Sequence, residues 1–334
     1  MDDIHTGGDG MENTVMDIKN GAQTSFIYCY GAITEVLKCG PSHLHNGHKL
    51  LFLVIPGNPG VVGFYRTFLQ TLCSMFGNRH PVWAVSHAGH CEPPASMDMV
   101  EDASSAADGD VFGLNGQVEH KLTFLRTFVP KEVNLVLVGH SIGCYIILET
   151  MKRDPSLKVL KAVMLFPTIE RMALTPQGKV MTPVLCHMRY MAYLPIFLLS
   201  LLPEGLKRGL VQLVLGGLGS LDPCVIPATV GLLSGDCAAN AVYMGGQEMR
   251  KVLERDNLTI KKNLEKMTLL FQLLFYYGAS DPWCPVRYYD DIKMDFPTGD
   301  FRLCENGFRH AFVLDAGREV AEMVAEWIKS DVRT

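Results

Sequence analysis

An apolar run at residues 135–138 leads into Gly139-His140-Ser141-Ile142-Gly143, and an apolar-periodic segment follows that ends at Lys152-Arg153-Asp154-Pro155. This pattern predicts a strand, a sharp turn and a helix. A serine at the apex of such a turn is forced into a strained backbone conformation that exposes its hydroxyl. Glycine is needed at 139 and 143 because side chains there would collide with the flanking strand and helix. The same turn places the Ile142 N–H at a helix N-terminus, where an oxyanion can be held.

The surroundings of this turn are those of a parallel sheet. Residues 50–55 are uninterruptedly apolar, as suits a strand buried on both faces, and residues 81–85 and 160–166 read as further strands. Helical spacing of apolar residues at 61–76 and 116–128 fills the intervals. Strands alternating with helices from 50 to 167 imply right-handed βαβ units and a mostly parallel central sheet, an α/β fold. Residues 25–37, rich in β-branched and aromatic side chains, are expected to open the sheet, and residues 267–277 and 301–304 to resume it. Residues 316–330 form an amphipathic helix with Val320, Met323, Val324 and Ile328 on one face. Residues 1–22 read as a flexible, glycine-rich tail.

The alternation stops at Pro167. Apolar residues make up 48% of the chain and charged ones only 19%, and the surplus lies in the middle. Residues 190–203 carry no charge, Glu204-Gly205-Leu206-Lys207-Arg208 follows, and residues 209–221 are again uncharged. As helix each arm is roughly 20 Å long, against a hydrocarbon core of roughly 30 Å, so neither spans a bilayer. Two short apolar arms around a polar turn predict a hairpin or lid that enters one leaflet, with Lys207 and Arg208 at the head groups. The alternative is a helical cap packed on the rest of the chain. The expected organisation is a core of residues 23–167 and 256–334, interrupted by an apolar cap or lipid-association insertion at 168–255.

A serine hydroxyl is a poor nucleophile at neutral pH. It needs an imidazole base, and the base needs a carboxylate to fix its tautomer and stabilise the imidazolium. In α/β hydrolases these groups arrive in the order Ser, Asp, His, each on a loop after a strand. Ser141, Asp281 and His310 satisfy that order. Asp281 follows its strand directly, in a Gly-Ala-Ser turn stiffened by Pro282 and Pro285, whereas the rival acids Asp290 and Asp291 sit in a predicted helix. Pro56-Gly57-Asn58-Pro59-Gly60 occupies the loop where such enzymes place a second oxyanion N–H, and Asn58 joins Ile142 in that role. His140 is expected to point away from Ser141. His87 and His90 read as surface loop histidines, with pocket lining as the alternative. The His43, His45 and His48 group has the residue type of a metal site but no neighbouring carboxylate or cysteine to complete it, so no metal and no cofactor are expected.

A net charge of −5 with both signs spread along the chain gives no footprint for nucleic acid. Ten cysteines without a C-x-x-C pair, behind an acidic N-terminus lacking an apolar signal core, read as reduced thiols in a cytosol-facing protein.

The Pro56–Gly60 loop with Phe64-Tyr65 close behind, the Gly139–Gly143 turn, Tyr277-Gly278-Ala279-Ser280-Asp281-Pro282-Trp283 and His310 together resemble the lipid droplet-associated hydrolase family. The resemblance runs from about residue 25 to the C-terminus and includes the apolar middle. It implies a serine lipid hydrolase at the cytosolic face of the lipid droplet and endoplasmic reticulum, tied to cholesterol ester and triglyceride handling and anchored by the apolar segment. The expected activity is carboxylic ester hydrolysis, sterol esters included. The expected partners are a lipid ester substrate and a droplet or reticulum monolayer met through residues 190–221. A lipid-surface interaction protein that keeps the hydrolase fold but catalyses little is the competing reading, motivated by the size of the apolar region. A soluble esterase with an ordinary cap is a third.

Overall fold

The structure, a computed structural model of the chain, describes residues 21–41, 44, 49–101, 109–216, 221–265 and 272–332. Most of the tail expected at 1–22 and the histidines at 43, 45 and 48 lie outside the described residues.

Apolar runs become central strands because a sheet covered on both faces offers no solvent side towards which residues could alternate. Every residue of β3 (Leu50–Ile55) and β4 (Val82–Val85) is buried, as are β5 (Asn134–His140) from Leu135 onward and β6 (Val159–Leu165) from Lys161 onward. With β1 (Ala22–Cys29), β2 (Ala32–Cys39), β7 (Gln272–Gly278) and β8 (Asp300–Cys304) they form one sheet ordered β1-β2-β4-β3-β5-β6-β7-β8. Strands β3 to β8 are parallel, and β1 and β2 add an antiparallel edge. The stretch expected to open the sheet is thus a hairpin. Its two turn residues, Tyr30 and Gly31, both have positive φ, the geometry that matches the twist of the strands they join.

The chain moves from β3 outward to β4, then crosses back past β3 to β5. Right-handed crossovers therefore send α1 (Arg66–Met75) to one face and α2 (Leu114–Phe128) and α3 (Ile142–Arg153) to the other. The reversal also leaves the loops after β3 and β5 facing each other beyond the carboxyl ends of adjacent strands, where ligands collect in open α/β sheets.

Between β6 and β7 the described residues form the helices α4 (Pro176–His187), α5 (Arg189–Ser200), α6 (Glu204–Leu215), α7 (Val225–Leu232) and α8 (Gly235–Lys251). α9 (Asn257–Glu265) then packs against α3 and β7, α10 (Val286–Asp295) links β7 to β8, and α11 (Gly317–Val332) covers α1. α8 passes close to α4 because Gly245 and Gly246 lack side chains where the two helices meet: a Cβ on Gly246 would lie 2.9 Å from the Leu185 carbonyl oxygen. The outer helices are covered differently. None of the described side chains of α5 is buried, and Tyr190 and Met191, like Leu213 of α6, are more than two-thirds exposed. Among the described residues no single helix is long and apolar enough to cross a membrane; α7 and α8 reach that length only together, bent by 87°.

Candidate active site

The β5-to-α3 turn places Ser141 at φ +54°, ψ −122°, a conformation that a non-glycine residue adopts only when its surroundings impose it. The imposing contacts are close. A Cβ at Gly139 would lie 2.9 Å from the Cys144 backbone, and one at Gly143 would strike the Ile55 carbonyl at the end of β3. Ile142 is the first residue of α3, so its N–H has no carbonyl one turn back to take it.

Three loops bring distant residues to this turn. His310 Nε2 lies 2.8 Å from Ser141 Oγ, and His310 Nδ1 lies 2.6 Å from Asp281 Oδ2. Asp281, just beyond β7, has a side chain with no solvent exposure, yet it remains an anion. Burial pushes its pKa up, but the hydrogen bond and charge of His310, the Cys284 thiol and the Trp283 N–H outweigh that and hold it below the usual carboxylate value. The donors are divided between its oxygens: Oδ1 accepts the N–H groups of Trp283 and Cys284, and Oδ2 accepts His310 and the Cys284 thiol at 3.0 Å. Burial and the adjacent carboxylate push the Cys284 pKa well up, so it is the thiol that donates. Asp281, Cys284 and His310 offer three ligand atoms within 4.8 Å of one another, but a metal taken there would have to displace the protons that these hydrogen bonds use. The rival acid Asp291 is paired instead with Arg171, 2.7 Å away.

His140 points away from Ser141 and joins two of the loops. Its Nε2 lies 2.8 Å from the His310 carbonyl oxygen and its Nδ1 lies 2.6 Å from the Tyr65 hydroxyl. Burial and the neighbouring His310 push its pKa down to about 3, so the ring is neutral. A carbonyl can only accept. Nε2 therefore carries the proton, Nδ1 accepts from Tyr65, and the Tyr65 oxygen accepts the Gly57 N–H at 2.8 Å. One chain of hydrogen bonds thus ties the Pro56–Gly60 loop to the backbone of His310.

That loop is fixed from beneath as well. The expectation that His87 and His90 are surface histidines is overturned: both are completely buried, and neither lines the cavity. The Gly60 N–H donates to His90 Nδ1 at 3.0 Å, and the His87 N–H donates to the Gly60 carbonyl at 3.2 Å. Any side chain at Gly60 would overlap the His87 ring, so the glycine is what admits the histidines. Burial, with Lys121 nearby, keeps both neutral, His90 at about 3.

Ser141 and His310 open into a cavity of about 300 Å³ whose walls are largely apolar, with Met172, Met181, Leu185, Ile196 and Met249 among them. Asn58 lines it too. The Asn58 N–H has no acceptor among the described residues, while its amide nitrogen donates to the Ala241 carbonyl at 2.9 Å and to Glu248 Oε1 at 2.8 Å. Glu248 is a cavity residue absent from the expectations. It is 3% exposed, and burial pushes its pKa up to about 8, with the Asn58 amide only partly offsetting this. An unfolded chain ionises this carboxyl near 4.3, so between about pH 4.3 and 8 the folded state alone holds the proton and stability falls as pH rises. Glu248→Gln is therefore expected to melt several degrees above the wild type at pH 8, with a much smaller difference at pH 5, by thermal denaturation at the two pH values.

Residues 48–313 match the family described as lipid-droplet associated hydrolase. The chain is 57% identical to the lipid droplet-associated hydrolase of Gallus gallus over 92% of its own length and 95% of the relative's, and 47% identical to that of Homo sapiens over the same shares. Its fold is similar to a haloalkane dehalogenase, DatA, of Agrobacterium tumefaciens (TM-score 0.64, 12% identity, 94% and 98% of the two chains). A serine hydrolase of Cycloclasticus zankles is also similar (TM-score 0.60, 14% identity, 94% and 100%).

Proposed function

Since the chain belongs to the lipid droplet-associated hydrolase family, we propose that it is a serine carboxylic ester hydrolase working at the lipid droplet surface, with Ser141 as nucleophile, His310 as base and Asp281 as the acid that orients it. The observation that carries this reading is the Ser141–His310–Asp281 hydrogen-bond chain, which starts at a strained serine lining an apolar cavity.

The steps follow from the atoms. His310 Nε2 takes the Ser141 proton as Oγ attacks the ester carbonyl, and Asp281 stabilises the resulting imidazolium through Nδ1–H. The Ile142 and Asn58 N–H groups hold the tetrahedral oxyanion. His310 then protonates the leaving alcohol, and a water activated by the same ring releases the acid from the acyl-enzyme.

The cap supplies the lipid side of the reading. Met181 and Leu185 of α4 and Ile196 of α5 line the cavity, while Leu194 and Leu198 of α5 face outward. A monolayer met by α5 and α6, within residues 190–221, would thus lie one helix away from Ser141. We take the substrates to be neutral lipid esters, cholesterol esters among them, and the role to be cholesterol and triglyceride homeostasis at the droplet and the cytosolic face of the endoplasmic reticulum.

Release of oleate from emulsified cholesteryl oleate or trioleoylglycerol by the wild type, and not by Ser141→Ala, supports this function. A wild type that binds the emulsion and releases no oleate favours a lipid-surface interaction protein instead. The hydrogen bonds through Tyr65 make a further prediction. Tyr65→Phe orphans the Gly57 N–H and His140 Nδ1, and is expected to lower kcat on a soluble ester about tenfold with KM little changed, because misplacing the oxyanion loop acts on the transition state more than on binding.

A further inference from the structure

Among the described residues, Glu248 is the one acidic side chain in the wall of the cavity that holds Ser141 and His310. Its Oε1 is taken by the Asn58 amide, whose two hydrogens are both spent, on Glu248 and on the Ala241 carbonyl. Its Oε2 has no partner among the described residues. At neutral pH the group is a carboxylic acid, so with Oε1 accepting from Asn58, Oε2 is left to carry an O–H. An occupant that fills and dries this space with hydrocarbon leaves that O–H without an acceptor, which is costly in an apolar enclosure. An occupant with an oxygen at that position satisfies it.

We propose that Glu248 is a specificity residue that selects esters carrying a second oxygen acceptor near the scissile bond, as the free hydroxyls of a partial acylglycerol do, over esters whose alcohol part is pure hydrocarbon, such as sterol esters. The inference rests on the ester-hydrolase reading above and narrows its substrate class. Asn58 fits the same scheme. By accepting from Asn58, Glu248 also fixes the loop that carries one oxyanion N–H, so recognition of the hydroxyl and placement of the carbonyl share one hydrogen-bonded unit.

A matched pair of soluble esters tests this: glycerol monobutyrate and propyl butyrate differ only in two hydroxyls. The wild type is expected to favour the glycerol ester by about tenfold in kcat/KM, the discrimination that one hydrogen bond to a buried neutral group supplies. Glu248→Gln, which keeps an acceptor for Asn58 and a donor for the ligand, is expected to retain most of that ratio. Glu248→Met is expected to bring it to within about twofold of unity, whatever rate change is common to both esters. A wild type without preference overturns the proposal with no variant needed, and so does a preference that survives in Glu248→Met. If neither ester is cleaved and Ser141 resists a fluorophosphonate, the hydrolase reading itself has failed and this inference falls with it.

Discussion

Alanine at position 141 is expected to lower kcat for ester hydrolysis by at least about 10⁴-fold, and Asp281→Asn to do nearly the same. The second variant is the more informative. An asparagine there is isosteric and can still accept the Trp283 and Cys284 N–H groups through its carbonyl, so the loop is expected to hold. Its amide nitrogen, however, then faces His310 as a donor. That forces the proton from Nδ1 to Nε2, where the ring can no longer accept from Ser141. The double variant should be no worse than Ser141→Ala alone, because the three residues act as a unit. Steady-state rates on glycerol monobutyrate, with circular dichroism to check the fold, give the comparison.

The second large effect is expected at the lipid surface. Leu194 and Leu198 are each 56% exposed on α5, and Leu213 on α6 is 78% exposed. Burying one such side chain in hydrocarbon is worth roughly 1–2 kcal/mol, and a carboxylate in its place adds a desolvation penalty. Leu194→Glu, Leu198→Glu and Leu213→Glu together are thus expected to weaken partition onto a neutral-lipid emulsion about 10³-fold or more, read by flotation. Activity on the emulsion should fall much further than activity on a soluble butyrate. Binding that survives all three changes would assign the contact to another surface and return α5 and α6 to the role of an ordinary cap.

Residues near Ser141 were legible in the sequence where local pattern and local structure coincide. The apolar run into Gly-His-Ser-Ile-Gly encodes β5, the turn and α3 within twenty residues, and each glycine there has a steric reason visible from the motif alone. The parallel strands were legible for the same reason, since burial on both faces writes itself as an unbroken apolar run. What escaped depends on contacts between segments far apart in the chain. Nothing near His87 or His90 signals that Gly60, nearly thirty residues earlier, leaves room to bury both rings. Glu248 lies 190 residues from Asn58, and only the Gly245-Gly246 pair, unusual inside a helix, marked α8 as a place of close approach. His140 was expected to point away from Ser141, but its partners Tyr65 and His310 are 75 and 170 residues distant and have no signature of their own. The Tyr30-Gly31 turn was a local signal overlooked, a glycine in mid-strand pattern that divides β1 from β2.

The central claim is that Ser141 is activated by His310. Labelling with a fluorophosphonate probe, with and without a neutral-lipid emulsion, tests it most directly. The wild type is expected to be modified, with the adduct placed on Ser141 by mass spectrometry, and Ser141→Ala and His310→Ala are expected to stay unlabelled. A folded wild type that stays unlabelled even on the emulsion would contradict it.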